Sequence, residues 1–147
     1  MAHPPTRVTR SPRSAPDMVI LIAPVALPGV DSEELAADPL GGGHYVLHSI
    51  PVVAEGLALG DIVSCVTVGG RLHIDRVVVP GGNTTLRLLV DTPFLPALRR
   101  RLAAMGCRLE HPLPDLLVLN LPPDAPGEGI RAYLADLAEQ GVVQIAP

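Results

Sequence analysis

The sequence contains no lysine: all 11 basic residues among its 147 are arginines. The chain therefore has no side chain for a Schiff base and none for the lysine of a phosphate-binding P-loop. Tryptophan is also absent, and Tyr45, Phe94 and Tyr133 are the only aromatic residues. With 48% apolar residues, the core must form from Leu, Val, Ile and Ala. A chain of this length buries about 70% of its unfolded surface, so it needs no metal or disulfide to fold.

Cysteines and long apolar runs are scarce. Cys65 and Cys107 each stand alone among apolar residues. This favours two small buried side chains in a reducing cytosol, with a disulfide or a catalytic thiol as the alternatives. Pro24 interrupts the apolar run that begins at Met18, and no segment reaches the roughly 18–20 apolar residues of a membrane span. Because no small-residue cleavage site follows that run, we expect a cytoplasmic protein rather than a secreted one.

Charge is distributed unevenly along the chain. The net charge is −4, but residues 17–147 carry eight arginines against 15 acidic residues, a net charge of −7. An acidic body of this kind repels phosphate backbones, so nucleic acid is not expected as a partner. Arg99–Arg101 lie in a predicted helix, where consecutive side chains diverge by about 100° and form no flat basic patch. A solvated helix face is the simpler interpretation, and contact with RNA or an acidic partner is the alternative.

Residues 1–16 are predicted to form a disordered tail. They contain four prolines, three arginines and few large apolar side chains, which is too little to offset the entropy lost on ordering. Met18 stands where this tail ends and the apolar run begins, so it is a candidate for the true start of the protein. A mass measurement on the native protein distinguishes a chain that starts at Met18 from one that starts at Met1.

Residues 17–82 are predicted to be rich in strands. A short buried strand is expected from Met18 to Ala23, and another from His44 to Ile50 after the glycines at 41–43. The strands predicted at 61–68 and 71–79 flank Gly69-Gly70, which favours a tight hairpin turn. We expect this half to contain hairpins in a small barrel-like sheet.

Residues 83–147 change to alternating strands and helices. Thr92 and Pro93 predict a helix start, and apolar residues then recur at helical spacing as far as Met105. Asp124 is a candidate cap for a second helix with the apolar stripe Ile130, Leu134 and Leu137. With strands at 83–90, 107–111, 116–121 and 142–146, the order is βαββαβ, that of a ferredoxin-like half. The predicted fold class is thus α+β, and the two halves are alternatively one compact unit.

Three spaced motifs carry a family resemblance. They are PLGGGHYVL at 39–47, the stretch from Ile50-Pro51 through Ala54 to GLALGDIV at 56–63, and VPGGNTTLR at 79–87. Over about residues 18–145 the chain resembles an uncharacterised bacterial family, domain of unknown function 4265. The resemblance implies a compact, stand-alone cytosolic protein and brings no activity with it. The chain has Val52-Val53 where this family usually has aromatic residues, and Asn83 where a histidine is common.

The turn from Gly81 to Arg87 is the strongest candidate site. Its glycines allow close backbone approach, Asn83, Thr84 and Thr85 offer hydrogen bonds, and Arg87 suits a carboxylate or phosphate. No helix begins after the turn, so the helix dipole of a true phosphate loop is missing. Asp61 and Tyr45 are possible neighbours of this site. The simpler interpretation is a turn that links two sheets.

Histidines form two further candidate groups. His73 and Asp75 are two residues apart on a predicted strand and face the same side, so His73 is a candidate base or, with a third ligand, a metal ligand. A solvated polar face is the simpler interpretation. His44 and His48 would lie roughly 13 Å apart on a strand, too far to share a metal ion. No metal site, cofactor site or catalytic residue is therefore assigned.

These observations favour a non-catalytic binding or regulatory module of the bacterial cytosol, with an unknown protein or small-molecule partner. The alternative is a small enzyme or ligand sensor that uses the Gly81–Arg87 turn together with His73 and Asp75. The alternative requires the side chains of Arg87, His73 and Asp75 to converge in one pocket.

Overall fold

The computed structural model of the protein describes residues 17–146. The predicted tail at 1–16, with its three arginines, and the question of Met1 against Met18 as the start lie outside the described residues. Among residues 17–146, no helix has the length and apolar content needed to cross a bilayer.

The first part of the chain forms a closed five-stranded barrel. Neighbouring strands pair antiparallel from β1 to β5, and a short parallel pairing of β1 with β5 closes the barrel. The hairpin predicted around Gly69-Gly70 is confirmed, since both glycines have positive φ (60° and 80°) between β4 and β5. The strands are β1 Val19–Leu27, β2 Val30–Gly41, β3 His44–Leu47, β4 Ile62–Val68 and β5 Arg71–Val79.

Alternation along the strands fills the barrel with small and medium apolar side chains. In β2, for example, Leu35 and Ala37 face the interior. Glu33 lies two residues before Leu35, so by alternation its side chain is on the same face of the strand. Ala54, from the segment between β3 and β4, packs into this core. The buried residues of the barrel core are Leu21, Ala23, Leu35, Ala37, Leu47, Ala54, Val63 and Ile74.

The second part of the chain forms a four-stranded antiparallel sheet with two helices. The strand order is β7-β8-β6-β9, so the first and third strands of this part lie at the centre. Leu88, Leu117, Leu119, Leu102 and Leu134 are fully buried between the sheet and the helices. The elements are β6 Thr84–Val90, α1 Leu95–Ala104, β7 Arg108–Leu113, β8 Leu116–Leu121, α2 Ala125–Glu139 and β9 Val143–Ala146.

One of the two predicted helix caps is present in the structure, and the other is absent. Asp124 caps α2 as predicted, since its carboxylate accepts a hydrogen bond from the N–H of Gly127 at 3.3 Å. The predicted cap by Thr92 is wrong: residues Thr92–Phe94 form a 3₁₀ turn before α1, and no side chain caps either element. The fixed φ of Pro93 suits that turn as well as it suits a first helical position.

The first strands also differ from expectation. β1 continues past Ala23, with Pro24 opposite Ser32, and the ladder becomes irregular only between Pro24 and Leu27. β2 is a full 12-residue strand where no strand was specifically predicted. Proline has no backbone N–H to donate, so it is tolerated near an irregularity, where the hydrogen bonding between the strands is interrupted.

The α+β class with a β-rich first half is therefore confirmed. The barrel strands end at Val79 and the second sheet begins at Thr84. The division into residues 17–82 and 83–147, as two units or as one, stays a prediction.

Candidate functional site

One face of β6 is hydrogen-bonded to the segment that joins β3 to β4, which we call the bridging segment (residues 48–61). Asn83, Thr85 and Arg87 alternate along the chain, so their side chains share the face of the sheet turned away from the helices. Asn83 Nδ2 donates to Leu59 O at 2.8 Å, and Thr85 Oγ1 donates to Leu57 O at 3.3 Å. These side chains therefore attach the bridging segment to the second sheet.

Arg87 makes the most extensive contact with the bridging segment. Its Nε donates to Val52 O at 2.6 Å, and its Nη2 donates to Ala54 O at 3.1 Å and to Pro51 O at 3.4 Å. Arg87 is partly buried, and burying a cation is costly unless polar groups replace its water. Three carbonyl oxygens replace that water here.

Glu33 holds the same segment from the barrel side. Its carboxylate accepts hydrogen bonds from the N–H groups of Val52, Val53 and Ala54 at 2.7, 3.0 and 2.8 Å. The N–H groups of one short stretch thus meet an anion, while its carbonyl groups meet the cation of Arg87. Hydrogen bonds to charged groups are the stronger kind, so this stretch is held in one conformation between barrel and sheet.

Asp61 fixes the point at which the two parts of the chain meet. It is only 6% exposed, and its two oxygens accept from Gly81 N at 2.8 Å and Ala58 N at 3.0 Å. Gly81 packs directly on Gly60, because a Cβ built at Gly81 would lie 2.6 Å from Gly60 O. Gly81 is thus required because the backbone of Gly60 packs directly against it.

A buried amide pair continues the polar contacts beneath the bridging segment. Asn120 Nδ2, on β8, donates to Asn83 Oδ1 at 3.3 Å. Asn120 is 7% exposed, and its Oδ1 has no hydrogen-bond partner among the described residues. Beside this pair, Ile50, Leu59 and Val118 form a small apolar cluster between the segment and the sheet.

A cleft opens between the bridging segment and the start of β6. Its volume is about 510 Å³, within the roughly 300–1,000 Å³ common for small-molecule sites. Its walls combine apolar groups with two carboxylates, a guanidinium, an amide and two threonines. The lining residues are Ala54, Glu55, Gly56, Leu57, Ala58, Asp61, Pro80, Gly82, Asn83, Thr84, Thr85 and Arg87.

The structure brings together only some of the candidate site residues. Asn83, Thr84, Thr85 and Arg87 all line the cleft, as does their suggested neighbour Asp61. Tyr45 instead packs against the barrel core. Their roles in binding stay predictions, since the hydrogen bonds of Asn83, Thr85 and Arg87 to the segment also fulfil the simpler interpretation of a turn that joins two sheets.

His73 and Asp75 lie on the barrel and do not line the cleft. His73 stands beside Ile22 and Val66 in the ladder. Asp75 is exposed, at the irregularity where Cys65 pairs with Ile74. The convergence of Arg87, His73 and Asp75 that a small enzyme at this turn would need is therefore not observed.

The other reactive side chains also lie outside the cleft. His48 Nε2 contacts the Asp38 carboxylate at 2.6 Å, and both side chains are partly exposed. Among residues 17–146, no group of three or more His, Cys, Asp or Glu side chains is placed to hold a metal ion. Arg101 lies over the ring of Tyr133, 5.6 Å from its centre, so part of the arginine triplet packs on α2.

Both cysteines are free thiols in the structure. Burial raises the pKa of Cys107 from 9.0 to about 11, and burial together with the nearby charge of Asp75 raises the pKa of Cys65. A thiol must lose its proton to act as a nucleophile, so neither environment activates a cysteine at neutral pH.

Sequence reasoning missed Glu33 and the wall formed by residues 54–58. Glu33 lies in a strand that was not specifically predicted, and nothing in the sequence links it to residues 52–54. The one available signal was the resemblance, whose second motif includes Ala54 and Gly56 but gave them no role.

Comparisons with known proteins agree with this fold. The chain is similar to the crystal structure of a hypothetical protein from Neisseria gonorrhoeae, with a TM-score of 0.71 and 21% sequence identity over 88% of this chain and 92% of that chain. At this identity the likeness concerns the fold alone. No curated protein matches the sequence significantly. Residues 33–145 match the family described as "Domain of unknown function (DUF4265)", and the chain belongs to this family.

Proposed function

We propose that this protein is a non-catalytic binding module of the bacterial cytoplasm that takes a small polar molecule into the cleft at the start of β6. The observation that carries the proposal is the cleft of about 510 Å³ lined by Asn83, Thr84, Thr85 and Arg87. Its mixture of apolar wall and a few convergent polar groups is the usual composition of a small-molecule site.

The hydrogen bonds around the cleft favour binding over catalysis. Both oxygens of Asp61 are occupied by backbone N–H groups, and Arg87 is held by three carbonyl oxygens. Asp61 is also only 6% exposed, whereas a general base must lie within hydrogen-bond reach of its substrate. Since His73 and Asp75 do not line the cleft, we do not extend the proposal to a small enzyme at this turn.

The walls of the cleft are held in place before any ligand arrives. Glu33 and Arg87 fix the stretch at 51–54 from opposite sides, and Asp61 fixes Ala58. A preformed site loses less entropy on binding than one that must be ordered. We therefore expect binding without a large rearrangement.

For the architecture, we infer that the second part of the chain has the ferredoxin-like arrangement. The βαββαβ element order and the antiparallel strand order β7-β8-β6-β9, with β6 and β8 central, support this inference. In this arrangement the helices cover one face of the sheet, which leaves the opposite face of β6 for the bridging segment.

The test is a titration of the ¹⁵N-labelled full chain with small probes, followed by amide chemical shifts. The probes are acetate, acetamide, methylammonium and inorganic phosphate, and two variants are compared. Thr84→Trp places an indole at the exposed edge of the cleft, whereas Thr67→Trp makes the same change at an exposed position on β4 outside it.

The proposal expects at least one probe to shift the amides of residues 54–58 and 82–87 saturably. Thr84→Trp should abolish these shifts, and Thr67→Trp should leave them unchanged. If no probe shifts these amides, or if Thr84→Trp has no effect on the shifts, the proposed function is wrong.

A further inference from the structure

Arg87 places a positive charge at the cleft, and among residues 17–146 no carboxylate forms an ion pair with it. The ion pairs of the described chain are His48 with Asp38 and Arg71 with Glu34. Arg87 instead binds three carbonyl oxygens. Carbonyl groups replace the water around a cation but leave its full unit charge, so a localised positive charge remains on this wall of the cleft.

The hydrogen bonds of Arg87 also determine which of its nitrogens remains for a ligand. Nε and Nη2 donate to the bridging segment, so the side-on fork of the guanidinium is occupied. Nη1 makes no hydrogen bond to any described residue, although its two N–H groups are donors. Because the segment fixes the plane of the guanidinium, Nη1 is held in one orientation.

From these contacts we propose that the cleft selects small molecules that carry a single carboxylate, which Nη1 of Arg87 binds. This inference rests on the proposed function, since it names the chemical class for the same cleft. N–H donors of arginine and carboxylate oxygens form the stronger, charge-assisted kind of hydrogen bond. Thr84 and Thr85 also line the cleft.

Two negative charges at the cleft restrict the ligand to one carboxylate. Glu55 is exposed on the opposite wall, and Asp61 lies at its base. Like charges repel, and the described part of the chain is acidic as a whole. A dicarboxylate or a doubly charged phosphate is therefore disfavoured relative to a monocarboxylate.

The test compares acetate with acetamide, which has nearly the same shape but no charge. Sodium acetate and acetamide are titrated into the ¹⁵N-labelled full chain at ionic strength held constant with sodium chloride. The proposal expects acetate to shift the amides of residues 54–58 and 82–87 at concentrations at least tenfold below those that acetamide needs, and inorganic phosphate to bind more weakly than acetate.

Two glutamate variants test the same electrostatics without disturbing the hydrogen bonds that hold the segment, and a third variant changes Arg87 itself. Glu55→Gln removes the exposed carboxylate from the cleft and should tighten acetate binding about twofold to fivefold. Glu139→Gln removes an equivalent exposed charge at the end of α2 and should leave binding unchanged. Arg87→Lys should weaken acetate binding at least tenfold, and the amide spectrum of α1 and α2 reports whether this variant is still folded.

The outcomes separate this inference from the proposed function. If acetamide or methylammonium shifts the cleft amides and acetate does not, the carboxylate inference is overturned and the binding function stands. If acetate binds and Glu55→Gln weakens it, the electrostatic argument is also overturned. If no probe reaches the cleft, both proposals fail.

Discussion

Replacing Asp61 by asparagine tests the contact that joins the two parts of the chain. Asparagine offers one acceptor oxygen, whereas Asp61 uses two, for Ala58 N and Gly81 N. The side-chain NH₂ of the asparagine would then face one of these backbone N–H groups, and two donors cannot form a hydrogen bond with each other. Losing a charge-assisted bond costs about 1.5–3 kcal/mol, and an unpaired buried N–H costs about 1–3 kcal/mol. These costs overlap, so we expect the free energy of unfolding to fall by about 2–4 kcal/mol.

The assay is thermal and urea unfolding of the full chain, with Asp31→Asn as the matched control. Asp31 is exposed on β2, so its substitution removes the same charge with an expected effect within about 0.5 kcal/mol. For a chain of this size about 1 kcal/mol corresponds to roughly 4 °C, so the melting temperature of Asp61→Asn should fall by about 8–16 °C. Equal melting temperatures for the two variants would refute the role of Asp61.

Three further predictions concern a close backbone contact, a core leucine and a buried thiol. Gly81→Ala should lower the free energy of unfolding by about 1–3 kcal/mol because the new Cβ would overlap Gly60 O. Gly129→Ala, in open space on α2, should raise it by about 0.5–1 kcal/mol. Urea unfolding measures both changes, and a change of the same sign for both variants would contradict the argument. Leu134→Ala, fully buried, should cost about 2–5 kcal/mol, and an unchanged unfolding midpoint would contradict its place in the core. The unfolded chain loses the Cys107 proton near pH 9.0 and the folded chain near 11, so the wild type should lose stability relative to Cys107→Ala as pH rises through that window; a constant difference would contradict this.

Elements defined by local signals were predictable from the sequence. The β4–β5 hairpin follows from two glycines between β-branched runs, and α2 follows from Asp124 and its apolar stripe. β2 was not predictable in the same way, because Val30–Gly41 contains four acidic residues and lacks clear alternation. It becomes a strand because β1 and β3 both pair with it, and such non-local pairing leaves little trace in local propensity.

The candidate site was predictable only on one side. Asn83, Thr84, Thr85 and Arg87 are adjacent in the sequence, and their chemistry marked them as a group. The opposite wall comes from residues 54–58, which reach the cleft because Glu33, Asp61 and Arg87 hold the bridging segment against β6. The hydrogen bonds of Glu33 and Arg87 to Ala54, and of Asp61 to Gly81, each join residues that are 20 or more positions apart in the sequence. No periodic pattern in the sequence could indicate such contacts.

The central claim is that a small monocarboxylate binds in the cleft between the bridging segment and β6. The most direct measurement is an intermolecular nuclear Overhauser experiment between the methyl protons of ¹³C-labelled acetate and the full chain. We predict cross-peaks to methyl groups of Ala54, Thr84 or Thr85, which line the cleft. Cross-peaks only to side chains of other surfaces, such as Phe94 and Tyr133 between the two helices, or none at saturating acetate, would contradict the account.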